Sequence, residues 1–541
     1  MDDMQLILYN ARLRGLDGLL PETAMAILDG KIYALGDDEA ILMLRGEETE
    51  CVDLHGATVY PGFGDSHMHL LHFGVTLREV ELKDANSIEE VQALCRRFIE
   101  QNHIPAGEVV YAHGWNQDRF PDRRMPTRQD LDAVSTEHPI VAPRICGHIA
   151  VGNTRALERF GITEATRVPG GEIYLDEAGR LTGIVSENAV SLLYKTEREV
   201  SVDEAAEILR RAAEYAASRG ITCVHSDDLH AMAGCSPETV IAAYRKLARE
   251  DALAVRVLEQ CQLLGQEEIE RFFADGHFSG EAEGAFSLYS LKIISDGSLG
   301  ARTAYLRAPY ADAPETRGLL CYAPEEIEAM VRAAHAHGMP VAIHAIGDAA
   351  MDVCLTAIER AQKDDPDHKP RHGIVHCQIT DEALLDRFAA LGVQAYVQPV
   401  FLEYDAHIVE DRVGQARAAH SYSWKGLLRR GVNVSGGSDC PVEGMDSCKN
   451  LYCAMTRADF AGEPAGGWRP EEDLTAQEAL RVFTRNVAAA SGDEKRRGDL
   501  VPGFDADLTV LPEDFFEVAP ERVKDLSPSL TVMGGRIRFR A

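Results

Sequence analysis

The segment Pro61-Gly62-Phe63-Gly64-Asp65-Ser66-His67-Met68-His69 sets two imidazoles two residues apart at the end of an extended run. Side chains on a strand alternate between faces, so His67 and His69 project to one side and are spaced to grip a single metal ion. A lone H-x-H also suits an ordinary hydrogen-bonded pair, and a lone buried histidine is more often core than ligand. The later strands shift that balance. His344 closes the apolar run Val341-Ala342-Ile343, His376 closes Gly373-Ile374-Val375, and Asp439 follows Val434-Ser435-Gly436-Gly437-Ser438. Each falls at the C-terminal end of its strand, the rim on which barrel enzymes build active sites. Four histidines and an aspartate at successive strand ends point to a metal centre. The sixth group is Lys292, inside the predicted strand Ser290-Leu291-Lys292-Ile293-Ile294-Ser295. Alternation groups it with Ser290 and Ile294, and on an inward face an unpaired ammonium would be costly to bury. Capture of carbon dioxide would turn it into a carbamate able to bridge two cations.

These side chains need a scaffold that delivers strand ends to one rim. From about residue 200 onward, helical stretches alternate with short apolar strands, as Glu204 to Ser218 before Ile221-Thr222-Cys223-Val224-His225. That alternation implies βαβ units and a parallel sheet. Strands predicted at 61–67, 221–226, 255–261, 288–295, 340–344, 372–376, 393–398 and 432–438 number eight, as a closed (β/α)₈ barrel of the TIM type requires. The gap of about 75–215 after the first strand is too long for one crossover and reads as an insertion capping the barrel mouth. Both ends of the chain are β-rich. Asp29-Gly30 between two apolar runs signals a hairpin, and Gly534-Gly535 repeats the style near the other terminus. The termini are therefore expected to meet in one composite β-sandwich. The resulting division is 1–58 and 497–541 for the sandwich and 59–496 for an α/β barrel that includes the insertion.

Composition narrows the partners. The chain has 541 residues, 45% of them hydrophobic, and carries 55 Lys+Arg against 87 Asp+Glu, a formal net charge of −32. Such acidity disfavours nucleic acid and anionic membrane surfaces. No run approaches the ~18 apolar residues of a bilayer span, and the opening residues lack the pattern of a secretory signal. The twelve cysteines form no C-x-x-C pair and read as reduced, mostly buried thiols. A cytoplasmic enzyme acting on a small molecule fits these features, with a homo-oligomer left open.

The order H-x-H, Lys, His, His, Asp on strands one, four, five, six and eight resembles the binuclear pattern of the amidohydrolase superfamily. More narrowly, the chain is similar to the amidohydrolase-3 or YtcJ-like branch, which includes N-substituted formamide deformylase. The resemblance is carried by Pro61 to Leu70, Gly114-Trp115-Asn116-Gln117 with Pro126 and Leu131-Asp132, Gly147-His148 with Asn153, Lys292 to Thr303, Gly437 to Val442, and Pro502 to Leu508. Gly64 departs from a usual bulky apolar residue and Cys440 from a frequent alanine. Neither removes a ligand. His225-Ser226-Asp227 differs slightly from the usual end of the second strand and leaves substrate preference open.

The resemblance implies one or two divalent ions, zinc foremost, that lower the pKa of bound water toward neutrality. It implies His67, His69 and Asp439 on the more buried ion, His344 and His376 on the outer one, and carbamylated Lys292 between them. Asp439 is also the expected general base. Substrate contacts are weaker. Trp115 suits a pocket wall or the insertion's own core equally. His148 is a hydrogen-bonding group by resemblance. Arg302 suits an anionic substrate group or a solvated loop, and Glu187 the pocket or, more safely, an ion pair. His335 and His337 read as solvent-facing. The expected reaction is hydrolysis of an amide-like or formamide-like C–N bond. Deamination, cyclic-amide opening and lactone or ester hydrolysis are the alternatives on the same barrel, and a non-enzymatic barrel would be expected to lack ligands.

Overall fold

A computed structural model describes residues 4–144, 148–168, 170–194 and 199–541. The described chain divides into two compact units, one of residues up to 72 together with 201–541, the other of residues 73–200.

The first unit is organised around eight strands: β1 Phe63–Met68, β2 Ile221–Ser226, β3 Arg256–Gln262, β4 Phe286–Ile294, β5 Val341–Ala345, β6 Gly373–His376, β7 Gln394–Val397 and β8 Val434–Gly436. Neighbours in this series pair in parallel, in chain order. Nearly every residue in them is buried, as expected when helices cover one face and the barrel interior the other. The circuit is nearly closed: β1 and β8 stand at its two ends, and just beyond β8 the Asp439 N–H donates to the His67 carbonyl at 2.8 Å.

The helices between strands begin and end on local signals. Val202–Ser218 is capped by Ser201, and Pro237–Arg249 by Ser236 with proline in its first turn. Glu382–Leu391 runs from the Asp381 cap to Gly392 in the left-handed conformation. The helix Val202–Ser218 belongs to the barrel unit, so the intervening segment ends ahead of the expected 215.

The terminal segments build two further sheets in the same unit. Lys31–Gly36, Ala24–Leu28, Leu6–Tyr9 and Glu50–Asp53 make the first. Arg536–Arg540, Leu530–Met533, Leu508–Leu511, Thr58–Pro61, Arg12–Gly15 and Gly18–Leu19 make the second. Apolar residues from both, including Leu8, Ile27, Val59, Val510 and Val532, share one core. The turn at Asp29-Gly30 has φ of 50° and 74°, the left-handed pair that a two-residue hairpin needs. The chain stays in the second sheet to Pro61, past the expected boundary at 58, and enters the barrel through Gly62, where a Cβ would overlap the Thr222 side chain.

The unit of residues 73–200 holds a six-stranded sheet in the order Gly171–Leu175, Leu181–Glu187, Ile149–Gly152, Ile140–Pro143, Val110–His113, Val80–Glu81. Among the described residues no helix is long and apolar enough to cross a membrane, and eleven cysteines are free thiols, nine of them buried.

One expectation fails inside the barrel's shell. His335 was expected to face solvent but is fully buried on the helix Pro324–Ala336. The Val341 N–H donates to His372 Nδ1, so His372 Nε2–H donates to His335 Nδ1 at 2.9 Å, and His335 Nε2–H reaches the Asp365 carbonyl at 2.8 Å. His337 is exposed, with its ring stacked on Phe273. Burial, with His335 beside it, pushes His372 down from 6.5 to about 3. A histidine that stays neutral when folded binds fewer protons than when unfolded. Its contribution is therefore complete above pH 6.5 and is lost as pH falls toward about 3. Unfolding free energies from urea titrations across this window should fall with a slope approaching about 1.4 kcal/mol per pH unit from this residue. His372→Asn, which keeps an acceptor for Val341, should flatten the slope. An unchanged slope would remove His372 as its source.

Candidate metal centre

The H-x-H pair occupies the end of β1. His67 Nδ1 lies 2.6 Å from Gln260 Oε1 on β3, and the Gln260 amide is oriented by donating Nε2–H to the Ser66 carbonyl at 3.2 Å. His67 Nδ1 therefore carries the hydrogen, and Nε2 is left as a lone pair. That Nε2 is buried without a hydrogen-bond partner, 3.3 Å from Asp439 Oδ1. His69 repeats the arrangement. Its Nδ1–H donates to the Asp227 backbone carbonyl at 2.9 Å, and its Nε2 faces the same Asp439 Oδ1 at 3.1 Å. Two imidazole lone pairs converging on a carboxylate oxygen repel unless a proton or a cation lies among them. The ligand atoms of His67, His69 and Asp439 all lie within 4.8 Å of one another.

The protonation balance records the same conflict. Burial, with Lys292 nearby, pushes His67 down to about 4. Burial also works against protonated His69, but the Asp439 carboxylate outweighs it and lifts His69 to about 9. Burial opposes ionisation of Asp439, yet His67 and His69 hold its carboxyl well below the usual carboxylate range. A bound cation would supply the positive charge that the proton on His69 supplies without it.

The strand ends of β5 and β6 add two more imidazoles. The His344 and His376 ring centroids are 4.4 Å apart, and His376 lies 5.7 Å from His67. His376 Nδ1 meets Gln398 Oε1 at 2.8 Å, while Gln398 Nε2–H donates to the Tyr396 carbonyl, so His376 presents Nε2 as its lone pair. His344 Nε2–H donates to the Gly297 carbonyl at 3.2 Å, which leaves Nδ1. Burial, then His344, drives His376 well below the usual histidine range. Lys292 is 2% exposed, and its Nζ donates to Asp227 Oδ2 at 3.2 Å. The six expected residues thus lie at one end of the barrel as a tight trio, an adjacent histidine pair and a buried lysine.

Backbone geometry serves these positions. Asp439 and His376 have φ of 57° and 80°, left-handed values costly for residues with side chains. At Gly437 a Cβ would lie 2.6 Å from Asp65 Oδ1 and 2.8 Å from His67 N, so only glycine lets β8 approach β1. Asp65 sits behind the trio, accepting the Ser438 N–H and Oγ–H and the His67 N–H.

The weaker expectations are placed differently. Trp115 is fully buried in the core of its own unit, its indole N–H donated to the Ala142 carbonyl at 2.8 Å. No face of it is left for a ligand. His148 is exposed and pairs with Glu187 at 3.0 Å, while the preceding Gly147 lies outside the described residues. Arg302 is bound by both oxygens of Asp312, at 3.1 and 2.8 Å, so its charge is already answered. Gln260, Gln398, Asp65 and Asp227 also take part in the site and are not among the residues expected from the sequence. Each had a signal. The glutamines are long polar residues in or at the end of buried strands, and Asp65 shares the two-residue alternation of His67 and His69.

A profile of the amidohydrolase family matches residues 50–539. The chain is 32% identical to the YtcJ protein of Bacillus subtilis (strain 168) over 523 residues, 95% of this chain and 96% of that one. It is 27% identical to the N-substituted formamide deformylase of Arthrobacter pascens, covering 99% and 98%. Among solved structures, an uncharacterized metal-dependent hydrolase from Pyrococcus horikoshii OT3 superposes with a TM-score of 0.78 at 29% identity, over 95% of this chain and 99% of that one.

The partners of the ligand rings are open to test. Gln260→Leu removes the acceptor that fixes the His67 tautomer, and metal affinity should fall about 10–100-fold. Competition with a chromogenic chelator measures this. Wild-type affinity in the variant would show that His67 needs no such partner.

Proposed function

Because this chain belongs to the amidohydrolase family, whose members include metal-dependent hydrolases, we propose that it hydrolyses the C–N bond of a small, non-peptide amide. The observation that carries this reading is the convergence of the His67 and His69 lone pairs on Asp439 Oδ1. Mixed nitrogen and oxygen donors of this kind suit zinc. His67, His69 and Asp439 would hold one ion, and His344 and His376 would hold a second beside it. A divalent ion there would supply Lewis acidity, bringing water toward a neutral pKa and polarising the scissile carbonyl.

The residues of the chain do the rest. Asp439 is the one carboxylate of the trio, and as general base it takes the proton of the attacking water and delivers it to the departing amine nitrogen. Gln260, Gln398 and the carbonyls of Asp227 and Gly297 hold each ring in the tautomer that leaves a lone pair inward. Lys292 and Asp227 decide how many cations the site needs. As an ammonium, Lys292 neutralises Asp227. As a carbamate it would set a second anion beside that carboxylate, and only added positive charge makes such a burial tolerable. The carbamate and the second ion therefore come together or not at all. The relative named as an N-substituted formamide deformylase supports formamides or similar N-acyl amines as the substrate class. We also read the two terminal sheets as a composite β-sandwich, the protein as cytoplasmic, and residues 73–200 as an insertion after the first barrel strand.

Asp439→Asn should lower kcat by about 10³-fold or more on an N-formyl or N-acyl amine while circular dichroism stays unchanged. Wild-type rates would take Asp439 out of the general-base role. Dialysis against a chelator should abolish turnover, and zinc with bicarbonate should restore it. Full activity in rigorously metal-free protein would sink the proposal.

A further inference from the structure

The three residues that follow β4 grip His344 from behind. Ser295 donates its N–H at 3.1 Å and its hydroxyl at 2.5 Å to the His344 carbonyl. Gly297 accepts the ring Nε2–H at 3.2 Å, and Asp296 Oδ1 stands 3.4 Å from the same nitrogen. Asp296 itself is 1% exposed, and its carboxylate is ringed by donors. Oδ1 accepts the Ile346 N–H at 3.0 Å, and Oδ2 accepts the N–H groups of Gly347 and Tyr305, both at 2.9 Å. Three amides and one ring N–H match the four lone-pair directions of a carboxylate. A carboxamide would turn its own hydrogens toward one of them.

The charge of Asp296 is otherwise unanswered. Among the described residues no lysine or arginine lies within ion-pair distance of it, and His344 is the group that faces it. Asp227 differs. Its Oδ2 lies 3.9 Å from His69 Nδ1 but is already paired with Lys292 at 3.2 Å. Behind His67 and His376 stand uncharged amides, those of Gln260 and Gln398. His344 is thus the ligand ring with an unpaired anion at its back.

We infer that Asp296 is a positioning residue that, acting through the His344 ring, gives the outer position its hold on a divalent cation. The inference rests on the hydrolase reading for there being an outer ion, not for how that ion is held. A carboxylate behind the N–H of a ligand imidazole fixes the ring and makes its other nitrogen a stronger donor. Burial leaves little water to screen the anion from a cation on the far side of the ring. The trio of His67, His69 and Asp439 includes its own carboxylate, whereas His344 and His376 are both neutral donors, so the outer position is where a supporting anion matters. The same carboxylate joins the loop after β4, through Tyr305, to the start of the helix Asp348–Asp364, through Ile346 and Gly347. At Gly347 a Cβ would overlap the Tyr305 carbonyl, so glycine lets the two segments meet. A cation on His344 therefore also tightens their join.

Zinc uptake by the full-length protein in bicarbonate buffer tests this, by calorimetry and by competition with a chromogenic chelator. The wild type should take up two ions. Asp296→Asn should bind the second about 10–100-fold more weakly and the first within about threefold of wild type. Asp296→Ser, a smaller uncharged acceptor, carries the same comparison if Asp296→Asn melts early. In the wild type, the second equivalent of zinc should slow hydrogen exchange at the Tyr305, Ile346 and Gly347 amides about threefold or more. Four results would each overturn the role: a single ion in the wild type, unchanged affinity for both ions in a variant with native melting, equal loss of both, or exchange that ignores the second equivalent. Turnover of an N-formyl amine is assayed alongside. Affinities that behave as stated without turnover leave Asp296 its role and end the C–N cleavage reading. Turnover with both affinities unchanged in the variant does the reverse.

Discussion

The approach of β1 and β8 that nearly closes the barrel is the constraint on which the site depends. His67 and His69 belong to the first strand and Asp439 follows the last, some 370 residues later in the chain. They meet only because the two strands are brought edge to edge. The Asp439 N–H to His67 carbonyl bond ties backbone to backbone at the ligands themselves. Asp65 ties one layer behind, taking three donors from Ser438 and His67. The empty side of Gly437 sets how near the strands come, since any Cβ would strike Asp65 and His67. Burial raises Asp65 to about 7 against the pull of these donors, so a buried carboxyl is retained where its bonds define the seam.

From that approach follows an electrostatic arrangement in which every ligand ring has its proton placed by an acceptor behind it. Four different groups do this: a glutamine amide from β3, a glutamine just beyond β7, and two backbone carbonyls. The common result is imidazoles that are oriented and aimed inward. Neutral rings are the form that burial favours, as the depressed His67 and His376 show. His69 is the exception, since Asp439 draws a proton onto it. The same carboxylate that would hold a cation thus attracts whichever positive charge is present.

Much of this was legible in the sequence, and the reasons are local. Strands buried on both faces read as unbroken apolar runs, so each of the eight was found within two or three residues of its observed ends. Ligands at strand ends interrupt those runs with His or Asp, which is why His67, His69, His344, His376 and Asp439 stood out. Lys292 stood out as a charge inside an apolar strand. Less was legible where the decisive fact is a partner. Nothing local to Gln260 says that it faces His67, 193 residues away. Trp115 has the same composition in a core as in a pocket wall. His335 was legible and was misread. Ile327, Met330, Val331, Ala334 and His335 fall on one face at helical spacing, and that face is the buried one. The helix Val202–Ser218 was legible as part of the barrel's alternation, and only the approximate end of the insertion, 215, overran it.

The left-handed backbone at His376 and Asp439 bears on why this chemistry sits at strand ends and not within strands. A residue inside a strand points either into the barrel or out of it, with no intermediate direction. Turning φ positive at the end of the strand, as at His376, or shortly beyond it, as at Asp439, breaks that alternation and aims the side chain across the rim. Such a turn costs on the order of 1–3 kcal/mol per residue and persists only where the surroundings over-determine it. Both positions meet that condition. Asp439 is fixed by its N–H on His67 and by accepting the Val442 N–H, and His376 by Gln398 on one side and the Phe401 ring on the other. The rigid barrel thus sustains a conformation that a free loop would relax, and the loops beyond it remain free to shape what is bound.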